Sequence, residues 1–418
     1  MNEDRTKFGD YFKVKHGYAF KSEFFSDSGN YVVVTPGNFF DEGGFRKKGD
    51  KEKFYTGAVP EGFVLKRGDL IVAMTEQAEG LLGSSALIPE NNYYLHNQRL
   101  GLITDLDENK LDKRFLYYLF NFREVRNQIR ATATGAKIRH TAPERILNVR
   151  FKYLSIKVQR CIAAILSAYD DLIENNTRRI QILEEMARRI YEEWFVRFRF
   201  PGHENVSMVE STFGLIPVGW STPTLRDTCS LISRGISPKY NDVSEQFVIN
   251  QKCIRDEKLN LGLVRRHSSN VPSDKMVRFG DVLINSTGVG TLGRVAQVYT
   301  DVRNYTIDTH VTVVRPNSEI DKDYFGLSLL KLQTHFDRLG FGATGQTELS
   351  RTSVANTEIL LPPVSVRHSF SQTVSPMRKT AILLTQKNEN LRRTRDLLLP
   401  KLVSGQIDVS NFPEPMTN

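Results

Sequence analysis

Cysteine is scarce in this 418-residue chain: Cys161, Cys229 and Cys253 are the only three, far apart and without a Cys-x-x-Cys pair. An odd, scattered set excludes a disulfide framework and a zinc knuckle, and it fits a reducing, cytoplasmic compartment. No uninterrupted apolar stretch approaches the roughly 18 residues of a bilayer span, so a membrane is excluded as a partner. The polar start, Met1-Asn2-Glu3-Asp4-Arg5, leads into no apolar segment, so no signal peptide is expected. Catalytic signatures are missing too. There is no GxxxxGK phosphate loop, and the eight histidines form no HExxH. Pro362-Pro363 lacks the flanking polar and aromatic residues of an Asn-Pro-Pro-Tyr amino-methyltransferase motif. Asp308 and His310 are two metal ligands without a third and read as a structural strand pair. Glu184-Glu185 and Glu192-Glu193 flank Arg188-Arg189 at helical spacing, as salt-bridged solvated faces do. No active site and no metal site are expected.

What is present is ordinary globular composition, 40% apolar and 25% charged, in a chain long enough for two to four domains. The net charge of +9 invites a polyanionic partner, but its location matters more. Residues 366–404 alone carry 8 basic side chains against 2 acidic ones, whereas residues 200–365 are balanced.

The chain repeats itself. Phe63-Val64-Leu65-Lys66-Arg67-Gly68-Asp69-Leu70-Ile71 parallels Met276-Val277-Arg278-Phe279-Gly280-Asp281-Val282-Leu283-Ile284. Thr75 falls on Thr287, Leu82-Gly83 on Leu292-Gly293, Asn92-Tyr93 on Asn304-Tyr305, Leu111 to Phe115 on Ile320 to Tyr324, and Thr134-Gly135 on Thr344-Gly345. Landmarks in one order at a nearly constant offset identify a tandem duplication. In each copy, short β-branched runs such as Tyr31 to Val34 and Val311 to Val314 precede a short helical stretch, 113–130 and 322–339.

One long helix then follows each copy. Ile162, Tyr169, Asn176, Leu183 and Ile190 recur every seven residues, with Leu166, Ile173, Ile180 and Trp194 widening the stripe. Phe370, Met377, Leu384, Leu391 and Leu398 keep a second heptad, seconded by Val374 and Ala381. Sustained heptads with charged flanks predict a coiled coil. A 40-residue helix is about 60 Å long, and two in one chain can pair antiparallel, holding the domains at opposite ends of a rod. Asn176, polar at a core position, is expected to fix register. Pro376 is expected to kink or delay the second helix. The fold class is therefore α+β, a pseudo-two-fold tandem duplication. The domains are 1–154 and 200–364, the long helices 155–199 and 365–404, and the tail 405–418.

Gly288-Val289-Gly290-Thr291-Leu292-Gly293 spells GxGxxG, which binds a dinucleotide only where a helix follows. Here Arg294-Val295-Ala296-Gln297-Val298-Tyr299 alternates like a strand, and the first copy keeps only Gly83, so a turn is expected. Polar loops recur at matching places in both copies, with Arg, Lys, Gln, Ser and interleaved Tyr suited to phosphates and base edges. The candidate DNA-contacting residues are Lys13, Lys15, His16, Tyr18, Lys21, Lys137, Arg139 and His140 in the first copy. In the second they are Arg234, Ser237, Lys239, Tyr240, Thr287, Arg294, Gln346 and Arg351.

With these landmarks placed, the chain resembles the specificity subunit of a type I restriction–modification enzyme. The resemblance rests on the Gly68 to Ile71 and Gly280 to Leu283 strands and on Leu360-Leu361-Pro362-Pro363. It also rests on the central Tyr191 to His203 segment and on Leu397 to Ile407 near the end. The second copy departs in Pro376 and in having no Gln early in its helix, which leaves that helix start open. The resemblance implies two target-recognition domains reading the halves of a split, asymmetric sequence in double-stranded DNA. The helices then act as a ruler and as the platform for two methyltransferase subunits, which bring S-adenosylmethionine. Restriction (motor–nuclease) subunits join them with ATP and Mg, and this chain binds no cofactor itself. Three other readings stay open: the recognition subunit of another restriction or phage-defence system, a nucleotide-dependent enzyme built on Gly288 to Gly293, and a coiled-coil scaffold that binds no DNA.

Overall fold

A computed structural model describes residues 5–77, 80–342 and 347–413. It contains two compact units, Met1–Glu174 with Glu389–Asn418, and Asn175–Asn388. Among the described residues no helix is long and apolar enough to cross a membrane.

The first unit is built on a four-stranded antiparallel sheet in the spatial order Lys13–His16, Leu100–Thr104, Leu70–Ala73, Ser85–Leu87. Successive side chains of a strand face opposite ways, and here each face feeds its own core. Leu70 and Val72 pack with Phe8, Phe115 and Leu119, while Ile71 and Ala73 pack with Val32, Tyr94 and Leu100. A run that is apolar at every position is thereby explained: this strand is covered on both sides. A second small sheet contains a parallel pair, Tyr31–Val33 beside Tyr94–Leu95.

The second unit repeats the four-stranded sheet and the parallel pair. Cys229–Arg234, Val311–Pro316, Val282–Asn285 and Val295–Gln297 form the antiparallel sheet in the same order. Gln246–Ile249 and Tyr305–Ile307 form the parallel pair. Val282 and Ile284 face one core with Leu329 and Phe336, and Leu283 faces another with Ile249 and Ile307. The Gly-Asp landmark is a turn device in both copies. Gly68 and Gly280 take φ of +83° and +95°, and Asp69 and Asp281 each accept a 2.8 Å hydrogen bond from the backbone N–H of Lys66 and Arg278. The turn aims the chain into the central strand. The short helical stretches are each two helices, Lys113–Asn121 with Arg123–Ala131 and Lys322–Lys331 with Gln333–Arg338.

The first long helix spans Ile156–Tyr191 and continues as a π-turn over Glu192–Val196, short of the predicted 199. The chain then leaves the helix through Phe198, which has φ of 57°. The second spans Val364–Ser404, so Pro376 neither delays nor interrupts it. Pro376 is exposed, as is Gln372, the residue one turn earlier whose carbonyl the proline ring cannot serve as a donor. The helix start is secured by Arg367, which stands where Gln159 stands in the first copy. Buried Gln159 accepts from the Asp112 N–H (2.9 Å) and donates to the carbonyls of Lys110 (2.9 Å) and Leu154 (2.7 Å). Buried Arg367 donates to the carbonyls of Glu319 (3.0 Å) and Pro362 (2.9 Å) and lies 3.6 Å from Asp321.

Within each unit the two helix segments run antiparallel. In the first, Asp170 pairs with Arg395 at 2.5 Å, and Ile162 and Leu166 share a core with Leu402 and Leu398. In the second, Ile180 and Leu183 pack with Ala381 and Leu384, and Tyr191, Ile190 and Trp194 with Phe370 and Val374. Tyr169, Met377 and Leu391 are half-buried. Within the predicted tail, Ile407 and Val409 join the first core.

Candidate nucleic-acid interface

Each domain gathers its predicted loops at one end of the four-stranded sheet. In the first, His16 pairs with Gly101 and Leu100 with Ala73, so the loop from Lys15 to Tyr18 and Thr75 stand at the same sheet end. His140 pairs with Thr75 and carries the 137–140 segment there. In the second, Arg234 and Ile284 both pair with Thr312, and Thr287 pairs with Glu348, which carries in the segment that leads to Arg351. Lys13 is separated from this group, since it pairs with Thr104 at the far end of its strand.

Individual side chains differ in how free they are. Lys15 donates to the Gly62 carbonyl (2.6 Å) and sits 4.3 Å from the centre of the Phe63 ring, against which Tyr18 also packs. Gly17 lets this loop close, because a Cβ there would lie 2.0 Å from the Asn97 carbonyl oxygen. His16 contacts the Gly17 carbonyl at 3.1 Å, Lys13 pairs with Asp105 at 3.0 Å and Lys21 with Glu23 at 3.7 Å. Arg139 donates to the Arg130 carbonyl (3.0 Å) and lies 3.9 Å from buried Glu76. The Nδ1 of His140 is 3.1 Å from Thr75 Oγ1, and Lys137 is exposed.

In the second domain Arg234 pairs with Glu348 and donates to the Leu349 carbonyl at 2.7 Å, tying two loops together. Arg294 donates to the Gly290 carbonyl (2.7 Å) and braces its own turn. Thr287 Oγ1 is 2.7 Å from His310 Nδ1, while Asp308 accepts from the His310 backbone N–H at 2.9 Å. Ser237, Lys239, Tyr240 and Arg351 are exposed. Gln346 lies outside the described residues.

The GxGxxG segment is a turn. It joins two adjacent antiparallel strands, and no helix follows to face a pyrophosphate. Gly293 is required by packing: a Cβ there would lie 2.4 Å from the Asp337 amide nitrogen. Among the described residues no group of three His, Cys, Asp or Glu is placed to hold a metal ion. Burial pushes the Cys229 thiol up to about 12 and raises Cys253 as well, so neither is a thiolate at neutral pH.

Sequence reasoning missed Arg265 and Arg266. They lie over the rings of Tyr240 (3.3 Å) and Phe247 (5.1 Å) from a short strand beside Gln246–Ile249. The adjacent basic pair was visible, but its aromatic partners come from another strand.

Each unit also holds a cleft between its domain and its long-helix segments. In the first it is lined by Asp41, Glu42, Tyr117 and Asn121 opposite Arg395 and Asp396. In the second it is lined by Asp256, Glu257 and Leu330 opposite Ala187 and Arg188.

A family model described as the type I restriction modification DNA specificity domain matches residues 4–185 and 217–393. The MjaIX type I restriction enzyme specificity subunit of Methanocaldococcus jannaschii is 26% identical over 303 residues, covering 71% of this chain and 70% of that protein. The EcoBI specificity subunit of Escherichia coli is 22% identical over 417 residues, covering 94% and 84%. The fold is similar to the S subunit of a type I restriction-modification system from M. genitalium, with a TM-score of 0.60, 16% identity and 95% of both chains covered.

Proposed function

The chain belongs to the family of type I restriction–modification specificity subunits, and on that premise we propose that its two domains read the two halves of a bipartite, asymmetric DNA target. The observation that carries this reading is the repeated sheet topology with the same loops gathered at the same sheet end in both domains. One plan with different loop residues suits two readers of different half-sites. Lys15, His16, Tyr18, Lys137, Arg139 and His140 serve the first reader, and Ser237, Lys239, Tyr240, Thr287 and Arg351 the second. Arg234 and Arg294 position the second reader's loops.

The paired long helices set the unread gap, and recognition modules commonly engage major grooves about one helical turn, ≈ 34–36 Å, apart or further. Two methyltransferase subunits dock against the helices, and the clefts of the two units are suited to two copies of one partner. These subunits bring S-adenosylmethionine, and restriction subunits bring ATP and Mg, so the covalent chemistry takes place off this chain. The charge balance of residues 200–365 accords with partners supplying much of the phosphate affinity.

Selection from a random duplex pool by the chain assembled with its methyltransferase tests the reading. Two fixed blocks separated by an unread gap are expected. A single block, or none, contradicts it.

A further inference from the structure

Two of the most exposed apolar side chains stand at the reading end of the second domain: Phe341 is 89% exposed and Val289 85%. They are not frayed ends. The Phe341 N–H donates to the Glu348 carbonyl and the Glu348 N–H to the Phe341 carbonyl, both at 3.0 Å, and Glu348 is also the bridge partner of Thr287. The two loops meet through glycines. A Cβ on Gly340 would lie 2.3 Å from Leu292, and one on Gly293 would strike the backbone at Asp337. Packing that close holds the loops together while both tips stay in water, which leaves apolar area unburied at a cost to the isolated chain. Arg338 and Arg351 flank the pair from the helix that ends before Phe341 and the helix that starts after Glu348. Neither has an ion-pair partner among the described residues.

We propose that Phe341, with Val289, makes the apolar base contact of the second half-site, and that Arg338 and Arg351 hold the phosphates on either side. Phe is among the side chains that meet a thymine methyl or wedge into a base step, and arginine is a usual phosphate partner. The first domain has the same bridges with other residues, His140 against Thr75 and Thr134, and no large apolar side chain at the Phe341 position. A Phe contact therefore belongs to one half-site only, the loop between Thr134 and His140 carrying Ile138, 39% exposed, instead.

This inference rests on the two-reader function above. The test measures binding of the chain–methyltransferase complex to a duplex carrying the selected site, and to duplexes altered in one half at a time. Phe341→Ala is expected to weaken cognate binding about tenfold and to lower discrimination at the second half-site by about the same factor, the scale of one mismatched base pair. Discrimination at the first half-site and the salt slope stay unchanged, and Phe341→Leu restores most of the effect. Arg338→Ala and Arg351→Ala weaken all duplexes alike, and each lowers the salt slope by about 1. Replacing thymine by uracil in the second half-site separates methyl contact, which is lost, from wedging, which persists; either result upholds the apolar contact. Unchanged second-half discrimination in both Phe341→Ala and Val289→Ala, or equal loss at both halves, overturns it. A wild-type complex that selects no duplex at all overturns the two-reader function itself.

Discussion

The side-chain amide of Asn176 donates to Oδ1 of Asn388 at 2.9 Å, and both residues are at least 95% buried. Asn388 also donates to Thr177 Oγ1 at 3.2 Å. One helix turn further on, the same seam is apolar, with Ile180 against Ala381 and Leu384. A polar pair amid apolar neighbours is satisfied in one register only, because a slip would set each amide against a side chain that cannot answer it. Replacing Asn176 alone by Leu removes this donor from the buried Asn388 Oδ1 and is expected to cost about 1–3 kcal/mol. The double Leu variant should recover that loss in thermal unfolding, yet give a less uniform gap between methylated half-sites.

Arg378 makes a second test of the helix-to-domain joint. It donates to Asp323 at 3.0 Å and Gln297 at 2.7 Å and lies 3.9 Å from the centre of the Tyr299 ring. Arg378→Met leaves the buried Asp323 carboxylate without its cation, a change worth about 3–5 kcal/mol. Thermal unfolding should show the loss in the transition of the second unit.

Much of this was legible beforehand, and the reason is periodicity. Ile162 to Ile190 and Phe370 to Leu398 repeat every seven residues, so the helices and their buried face could be read locally, as could the duplication from Gly68-Asp69 and Gly280-Asp281. What could not be read depends on distant partners. Arg367 replaces Gln159 because carbonyls at Glu319 and Pro362 await it, and no spacing announces that two such different side chains do one task. Arg234 looked like a free reader, but Glu348 engages it from a distant loop. Pro376 looked disruptive because sequence does not show that it faces water.

Acid should destabilise the first domain. His96 is buried against the Leu100 carbonyl (2.9 Å), and burial pushes its pKa down to about 4 from 6.5. Between those values the unfolded chain takes up a proton that the folded chain refuses, so stability is lost as pH falls from 6.5 to 4. The loss reaches about 3 kcal/mol, and His96→Gln should flatten this part of a stability–pH curve measured by denaturant unfolding.

Half-site independence gives a fourth prediction. Lys15→Ala and Arg139→Ala should weaken recognition of one half-site, and Lys239→Ala of the other. Competition binding with singly altered duplexes reads this directly. Arg234→Ala should act differently, loosening the loop held at Glu348 and lowering thermal stability as well.

The central claim, two readers joined by a helical ruler, is tested most directly by a methylation map. The chain is co-expressed with its methyltransferase, intact or with seven residues cut from the heptad region of the first helix, and methylated adenines are located across the host genome. The account predicts a split motif only when the chain is present. In the shortened variant the gap changes or methylation is lost with the assembly, and any motif that remains keeps the bases of both half-sites. A motif independent of the chain, or a shortened variant that alters the bases read while keeping the gap, would contradict it.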